Sequence, residues 1–312
     1  MSRQSAGSDQ GAIPWAPQGG LIRRTIETGA RLLGVGAPAP PPPGGTPLPG
    51  PQAAPDPTQP DPPPPPRPCH RRAWGDRLWG EGMVLPGGAP EILRLAALLP
   101  LSAETTLLLA GNGATAAGAV VAGARGSFVA AFDQGGAPPP RPGARNRVTA
   151  EALDPEAPAF RARYHHHALL LEPLRAGGSP DALLAAAAAG LRPGGQMVML
   201  DLVARGERAG AVEARWLAAE RRHGPPAEDA LPTALRRAGF DVHVVEDAGR
   251  RHAEAVMAGW QALLQALGVQ PARPSAAEAA DLVFEAEAWL LRLRLLQDGR
   301  LRLLRWHASL AR

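Results

Sequence analysis

Gly111, Asn112, Gly113, Asp133 and Glu172 are the residues whose types and spacing suit chemistry in this chain. The turn Ala110-Gly111-Asn112-Gly113-Ala114-Thr115 follows the apolar run Thr105–Ala110 and opens the Ala-rich stretch Ala114–Ala124. Glycines at the end of a buried strand let the backbone approach a ligand closely, and the next helix offers its first amides. Asp133 ends the following apolar run, 22 positions after Gly111. A carboxylate there can accept hydrogen bonds from both hydroxyls of a nucleotide ribose, near the spacing of about 20 found in adenosine-cofactor sites. A glycine pair alone is equally well a packing device. Joined to a strand before, a helix after and Asp133 beyond, it reads as a cofactor site.

Glu172 follows the apolar run His166–Leu171. Open α/β sheets bind ligands beyond the carboxyl ends of their strands, so Glu172 is the candidate substrate contact or weak base. Its bland alternative is a solvated loop carboxylate. His165-His166-His167 has metal-binding residue types, but successive strand side chains point to opposite faces, so the three cannot share one ion and no metal is expected. Trp74 and Trp79 suit a lid over the cofactor or, equally, a packed cap. Arg292, Arg294, Arg300, Arg302 and Arg305 interleave with Leu and Trp306. They read as a solvated face rather than a grip on an anionic partner.

The elements that hold these residues alternate. Glu91–Leu99 is a short helix closed by Pro100, and Ser127–Phe132 is a second strand. Asn146–Ala150 is a weak third strand after the Pro138–Pro142 loop. Ser179-Pro180-Asp181 starts a helix to Ala189, and Gly194-Gly195 turns into the strand Met197–Val203. Helices over Val212–Arg222 and Pro232–Ala238 precede the strand Phe240–Val245; helices over Arg251–Leu267 and Ser275–Leu296 precede Leu301–Leu310, read as a final edge strand. Such alternation argues for an α/β fold, Rossmann-like and doubly wound, with a mainly parallel sheet and helices on both faces.

Residues 1–72 read differently. Ala37–Pro68 is dominated by proline, which fixes φ and removes donors, so the segment favours polyproline II and builds no core. It reads as a disordered, stiff spacer, with a PxxP docking site for a protein partner as the alternative, and 21–33 as a short marginal helix. The globular domain is then 73–312. The chain's single cysteine, Cys69, excludes an intramolecular disulfide framework. No run of about 18 apolar residues suggests a membrane span, and no secretory signal is evident, so the expected compartment is the cytoplasm.

All 33 basic residues are Arg, yet the net charge is only +4. The tail through Arg72 accounts for most of that excess, which leaves the domain near neutral and argues against nucleic-acid binding.

Three segments give the chain a likeness. Leu78–Gly88 (LWGEGMVLPGG) resembles the segment ahead of the cofactor strand in small-molecule methyltransferases of the phosphoethanolamine type. Leu107–Thr115 is similar to the first glycine motif of class I S-adenosylmethionine-dependent methyltransferases. Ala189–Asp201 (AGLRPGGQMVMLD) resembles that family's turn into its fifth strand, and Ala238-Gly239-Phe240 resembles the entry to its sixth. The likeness spans about residues 74–312. It implies S-adenosyl-L-methionine as cofactor, contacts from Gly111, Asn112, Gly113 and Asp133, and methyl transfer to a small-molecule acceptor.

The chain departs from the family pattern at four places. Leu109 stands where the family has an acid, Thr115 replaces its third glycine, Leu85 replaces a hydroxyl, and Tyr164-His165 replaces Phe-Asp. These departures open a second reading, a catalytically inactive methyltransferase-like scaffold or binding protein. A nicotinamide dehydrogenase, taking Gly111, Gly113 and Ala116 as its fingerprint, leaves the Pro193-Gly194-Gly195 turn without explanation.

Overall fold

The strand β1 (Thr106–Gly111) buries every residue after its first, as a strand covered on both faces must. It is an interior strand of the sheet in the computed structural model, which describes residues 71–136, 147–206, 210–270 and 273–311. The Pro-rich tail with its marginal helix, Cys69 and the Pro138–Pro142 loop fall outside the described residues.

Helices α1 (Arg71–Trp79) and α2 (Gly88–Ala96) precede β1. After it come α3 (Ala114–Arg125), β2 (Phe128–Asp133), β3 (Val148–Ala152) and β4 (His165–Leu171). Next are α4 (Pro180–Gly190), β5 (Leu191–Ala204), α5 (Ala211–Glu220), α6 (Ala230–Arg237) and β6 (Phe240–Asp247). Two long helices, α7 (Gly249–Val269) and α8 (Ala276–Gln297), separate β6 from the last strand, β7 (Leu301–Leu310).

The strands form one sheet in the order β3-β2-β1-β4-β5-β7-β6. The first five pair in parallel, and β7 runs antiparallel between β5 and β6. Alternate β1 side chains feed two cores. Leu107 and Leu109 pack with Ile92 and Leu95 of α2, Val121 of α3 and Trp216 of α5. Leu108 and Ala110 pack with Leu183 and Leu184 of α4 and Leu231 and Leu235 of α6. Helices therefore cover both faces, as the alternation of apolar runs implies.

Local signals set several boundaries. Ser179 caps α4, its side chain accepting the Ala182 amide, with Pro180 next in the chain. Ser275 and Glu278 form a reciprocal capping box at the start of α8. Two expectations change. Leu301–Leu310 is an interior strand, because the α7–α8 excursion returns the chain between β5 and β6; β6 takes the edge. The Pro193-Gly194-Gly195 segment does not precede its strand but bulges from it: Leu191 pairs with His165, and the ladder resumes at Gln196 opposite His167.

Candidate functional site

β1, β2 and β4 end side by side, with Gly111 opposite both Asp133 and Leu171. Gly111 has φ +128, and a Cβ there would stand 2.0 Å from the Leu171 carbonyl oxygen. Only glycine fits. The chain then turns through Asn112, whose amide donates to the Leu171 carbonyl at 2.9 Å. Gly113, φ +70, is the left-handed N-cap of α3, and a Cβ on it would press on Val84 at 2.9 Å.

Asp133 ends β2 with its carboxylate turned back on this loop. Oδ1 accepts the amides of Gly113 (3.3 Å) and Gly135 (3.0 Å), and Oδ2 accepts that of Thr115 (2.9 Å). The sheet thus brings together Gly111, Asn112, Gly113 and Asp133, which the sequence separates by up to 22 positions. The Thr115 hydroxyl is buried with no hydrogen-bond partner among the described residues.

These ends open into a cleft of about 850 Å³. Asn112, Gly113, Thr115 and Asp133 line one part; Glu172, Arg175, Glu220, Arg221 and Arg292 line another. Trp79 of α1 and Trp289 of α8 also face it, their rings edge to face at 5.3 Å. Both Trp74 and Trp79 are buried, and the indole of Trp74 donates to the Glu278 carbonyl. They form a packed cap, of which Trp79 is also a wall of the cleft.

Glu172 is not a solvated loop carboxylate. It is 6% exposed, sits at φ +42, and pairs with Arg292 at 2.7 Å and Arg222 at 3.1 Å. Arg292 also donates twice to Glu220 at 2.6 Å, from Nε and Nη2. Arg175 reaches the same Glu220 at 2.8 Å, and the Trp216 indole donates to it at 2.6 Å. Burial alone would raise the pKa of Glu172; Arg292, Arg222 and Arg175 outweigh it and hold the carboxyl far below the carboxylate range. Glu220 is held down by Arg292, Arg175 and Arg222 against its own burial, to about 2.

Behind them Asp201 is wholly buried, accepting the amides of Leu174 and Leu202. Burial raises its pKa to about 7, with Arg222, 4.0 Å away, only partly offsetting that cost. His252, beneath Arg292, is pushed to about 3 by burial and then by the Arg292 charge.

The reading of the arginine-rich end changes with this cluster. Arg292 is 1% exposed and wholly paired, and Arg305 is buried against Glu246. Arg302 binds Asp247 and Glu228, while Arg294 stays at the surface. No local pattern marks Arg292 as buried, since its partners lie 72 and 120 residues away. The three histidines disperse as alternation requires. His165 is buried, and burial followed by the Arg161 charge lowers it to about 4; the Nδ1 atoms of His166 and His167 lie near the Thr106 and Gln196 amides. Leu109, at the family's acidic position, is wholly buried in the core. No helix among the described residues is long and apolar enough to cross a membrane.

No family model and no curated protein matches the sequence. Solved structures do match the fold. Phosphoethanolamine N-methyltransferase 2 of Haemonchus contortus, in complex with phosphomonomethylethanolamine and S-adenosylhomocysteine, is 15% identical with a TM-score of 0.64, over 77% of this chain and 57% of that one. This chain therefore spans less than two thirds of that enzyme's length. Geranyl diphosphate C-methyltransferase of Streptomyces coelicolor, in complex with Mg2+, geranyl diphosphate and S-adenosyl-L-homocysteine, is 12% identical with a TM-score of 0.53, over 71% and 77% of the two chains. The cyclase SpnF is 18% identical with a TM-score of 0.50, over 72% and 80%. Strand order, the antiparallel seventh strand and these likenesses together give this chain the fold of the class I S-adenosylmethionine-dependent methyltransferases.

Proposed function

We propose that this chain transfers a methyl group from S-adenosyl-L-methionine to a small-molecule acceptor. Fold alone does not choose a reaction. The observation that carries the reading is the pairing of the Gly111–Gly113 turn with Asp133 at adjacent strand ends on an 850 Å³ cleft. The methyltransferases that share the fold were crystallised with methyl-donor products and small acceptors.

The residues present fit an adenosyl group. An ionised carboxylate offers about four lone-pair sites, and three on Asp133 hold loop amides. One site on Oδ2 remains for a ribose hydroxyl, and the 3.3 Å contact from Gly113 is the weakest for a second to displace. Gly111 and Gly113 supply the close backbone approach, and the buried Thr115 hydroxyl is an unused polar atom beside it. Leu109 offers nothing to the amino-acid end of the donor, which leaves Glu172 and Arg175 as the polar groups nearest that role.

When bound, the donor supplies an electrophilic methyl on a sulfonium. The chain's own task is alignment, which in well-oriented reactions removes roughly 7–11 kcal/mol of barrier. Trp79, Ala288 and Trp289 wall the cleft. Glu172 is too strongly held by guanidinium to take a proton near neutral pH; it orders the cleft floor rather than acting as base. The acceptor is a small molecule; the Pro-rich sequence Ala37–Pro68 suits a protein partner, and the near-neutral charge of 73–312 gives nucleic acid no role. The direct test is calorimetric titration of S-adenosylhomocysteine into the full chain, followed by methyl transfer to a panel of small amines, alcohols and acids.

A further inference from the structure

Most of the charge in the cleft floor is internally matched. Arg292 directs Nε, Nη1 and Nη2 to Glu172 and Glu220, with His252 Nε2 at 3.5 Å. Arg222 donates to Glu172 and the His223 carbonyl, while its buried Nη2 has no hydrogen-bond partner among the described residues and lies 4.0 Å from Asp201. Two guanidiniums of the same wall are different. Arg175 uses Nη1 on the Glu220 side chain and Nη2 on the Glu220 carbonyl, both at 2.8 Å, and Nε makes no hydrogen bond among the described residues. Nη1 also lies 3.5 Å from Glu172, so Nε is the open donor, and it can join an Nη hydrogen in the two-point grip a guanidinium makes on a carboxylate or phosphate. Its side chain is 20% exposed, enough to be touched from the cleft.

Arg221 adjoins it as the C-cap of α5, and its guanidinium makes no hydrogen bond or ion pair among the described residues. Its φ is +50. That is the left-handed backbone of a helix C-cap, its amide directed to the Ala218 and Leu217 carbonyls. Four guanidiniums here face two carboxylates, Glu172 and Glu220, and Asp201 behind Arg222 adds at most one negative charge. The other cleft carboxylates are engaged elsewhere: Asp76 by the Gly82 amide, Asp133 by its loop, and Glu285 by the Trp289 indole. Glu285 is also two turns from Arg292 along α8, about 10 Å. The cleft lining as a whole holds five carboxylates against Arg175, Arg221 and Arg292, so what sets the Arg175–Arg221 stretch apart is its open donors.

We propose that Arg175 and Arg221 form an oxyanion-docking site in the cleft, which takes a carboxylate or phosphate of a bound small molecule. Two sources have this chemistry: the amino-acid carboxylate of the methyl donor, and an acidic group on the acceptor. The second arm of the test rests on the methyl-transfer reading, and the first does not.

The first arm measures melting temperature of the full chain against inorganic phosphate and acetate, with sodium chloride at matched ionic strength. Wild type is expected to gain stability saturably, and Arg221→Asn and Arg175→Gln to lose that gain. Asn adopts the left-handed backbone readily and the Arg221 side chain pairs with nothing among the described residues, so Arg221→Asn folds even if Arg175→Gln, which loosens Glu220, does not. Equal saturable gains in wild type and Arg221→Asn overturn the proposal. The second arm compares S-adenosylhomocysteine with 5′-methylthioadenosine, which keeps the adenosine but lacks the amino-acid end. A loss of about tenfold or more for the first ligand alone assigns the site to the donor carboxylate. Unchanged affinities beside a lost phosphate effect assign it to the acceptor. If wild type binds neither nucleoside but still shows the anion effect, the methyl-donor reading fails and the oxyanion site stands.

Discussion

Arg292 of α8 donates to Glu172 at the end of β4 across 120 residues, at 2.7 Å, with both side chains almost wholly buried. A helix inserted between β6 and β7 is thereby fastened to the strand end beside the glycine turn. Removing one partner leaves the other to the rest of the cluster, Arg292 to Glu220 and Glu172 to Arg222, and breaking a buried pair costs up to about 3–5 kcal/mol. Glu172→Gln and Arg292→Met should each lose that much in urea unfolding. The double variant should lose clearly less than the sum, because each single change already breaks the same contact. Additive losses would show that the two do not act as a pair.

Asp201 gives a signed pH dependence. Its folded pKa is raised to about 7 by burial, above the ordinary 3.8, so the folded state holds a proton that the unfolded chain releases earlier. Its contribution to stability is complete below about pH 4 and is lost as pH rises towards 7. Asp201→Asn does not titrate. Relative to wild type its stability should rise by about 2–4 kcal/mol between pH 4 and pH 8, on top of a constant loss from the displaced amide contacts. A difference that is flat with pH would contradict the burial of an ionisable Asp201.

Glycine substitutions should divide sharply. Gly111→Ala places a methyl 2.0 Å from the Leu171 carbonyl at φ +128, so the loop must move and both stability and ligand affinity should fall. Gly123, exposed in α3, has nothing within 4 Å of an added Cβ. Gly123→Ala should gain about 0.5–1 kcal/mol. Thermal melts of both variants read this directly, and a destabilised Gly123→Ala would fault the description of α3.

Much of this arrangement is legible from local pattern. TLLLAG, FVAAFD and HHHALLL are apolar runs that stop at a glycine, an acid and an acid, so both the strands and the residues at their ends follow from the sequence alone. Asp133 and the glycine turn are found because a parallel sheet places consecutive strand ends together. The arginine cluster is different in kind. Nothing near Arg292 or Arg222 in sequence announces a buried charge, since each is satisfied by residues from other elements. β7 reads as an edge strand because pairing partners of a last strand are fixed by the sheet, not by its own residues. The burial of Glu172 escapes the sequence for the same reason, since its partners are Arg292 of α8 and Arg222, just past α5.

The adenosine site is tested most directly by calorimetric titration of S-adenosylhomocysteine into wild type and Asp133→Ala, with circular dichroism and melting temperature on both. Asp133 also holds the amides of Gly113, Thr115 and Gly135, so some loss of melting temperature is expected alongside the loss of ligand contacts. Hydrogen bonds to a charged acceptor contribute about 1.5–3 kcal/mol, which corresponds to roughly ten- to a hundredfold in affinity. Saturable binding by wild type, weakened by that factor in folded Asp133→Ala, is the result predicted. No saturable binding by wild type at millimolar ligand, or equal binding by both folded proteins, would contradict it.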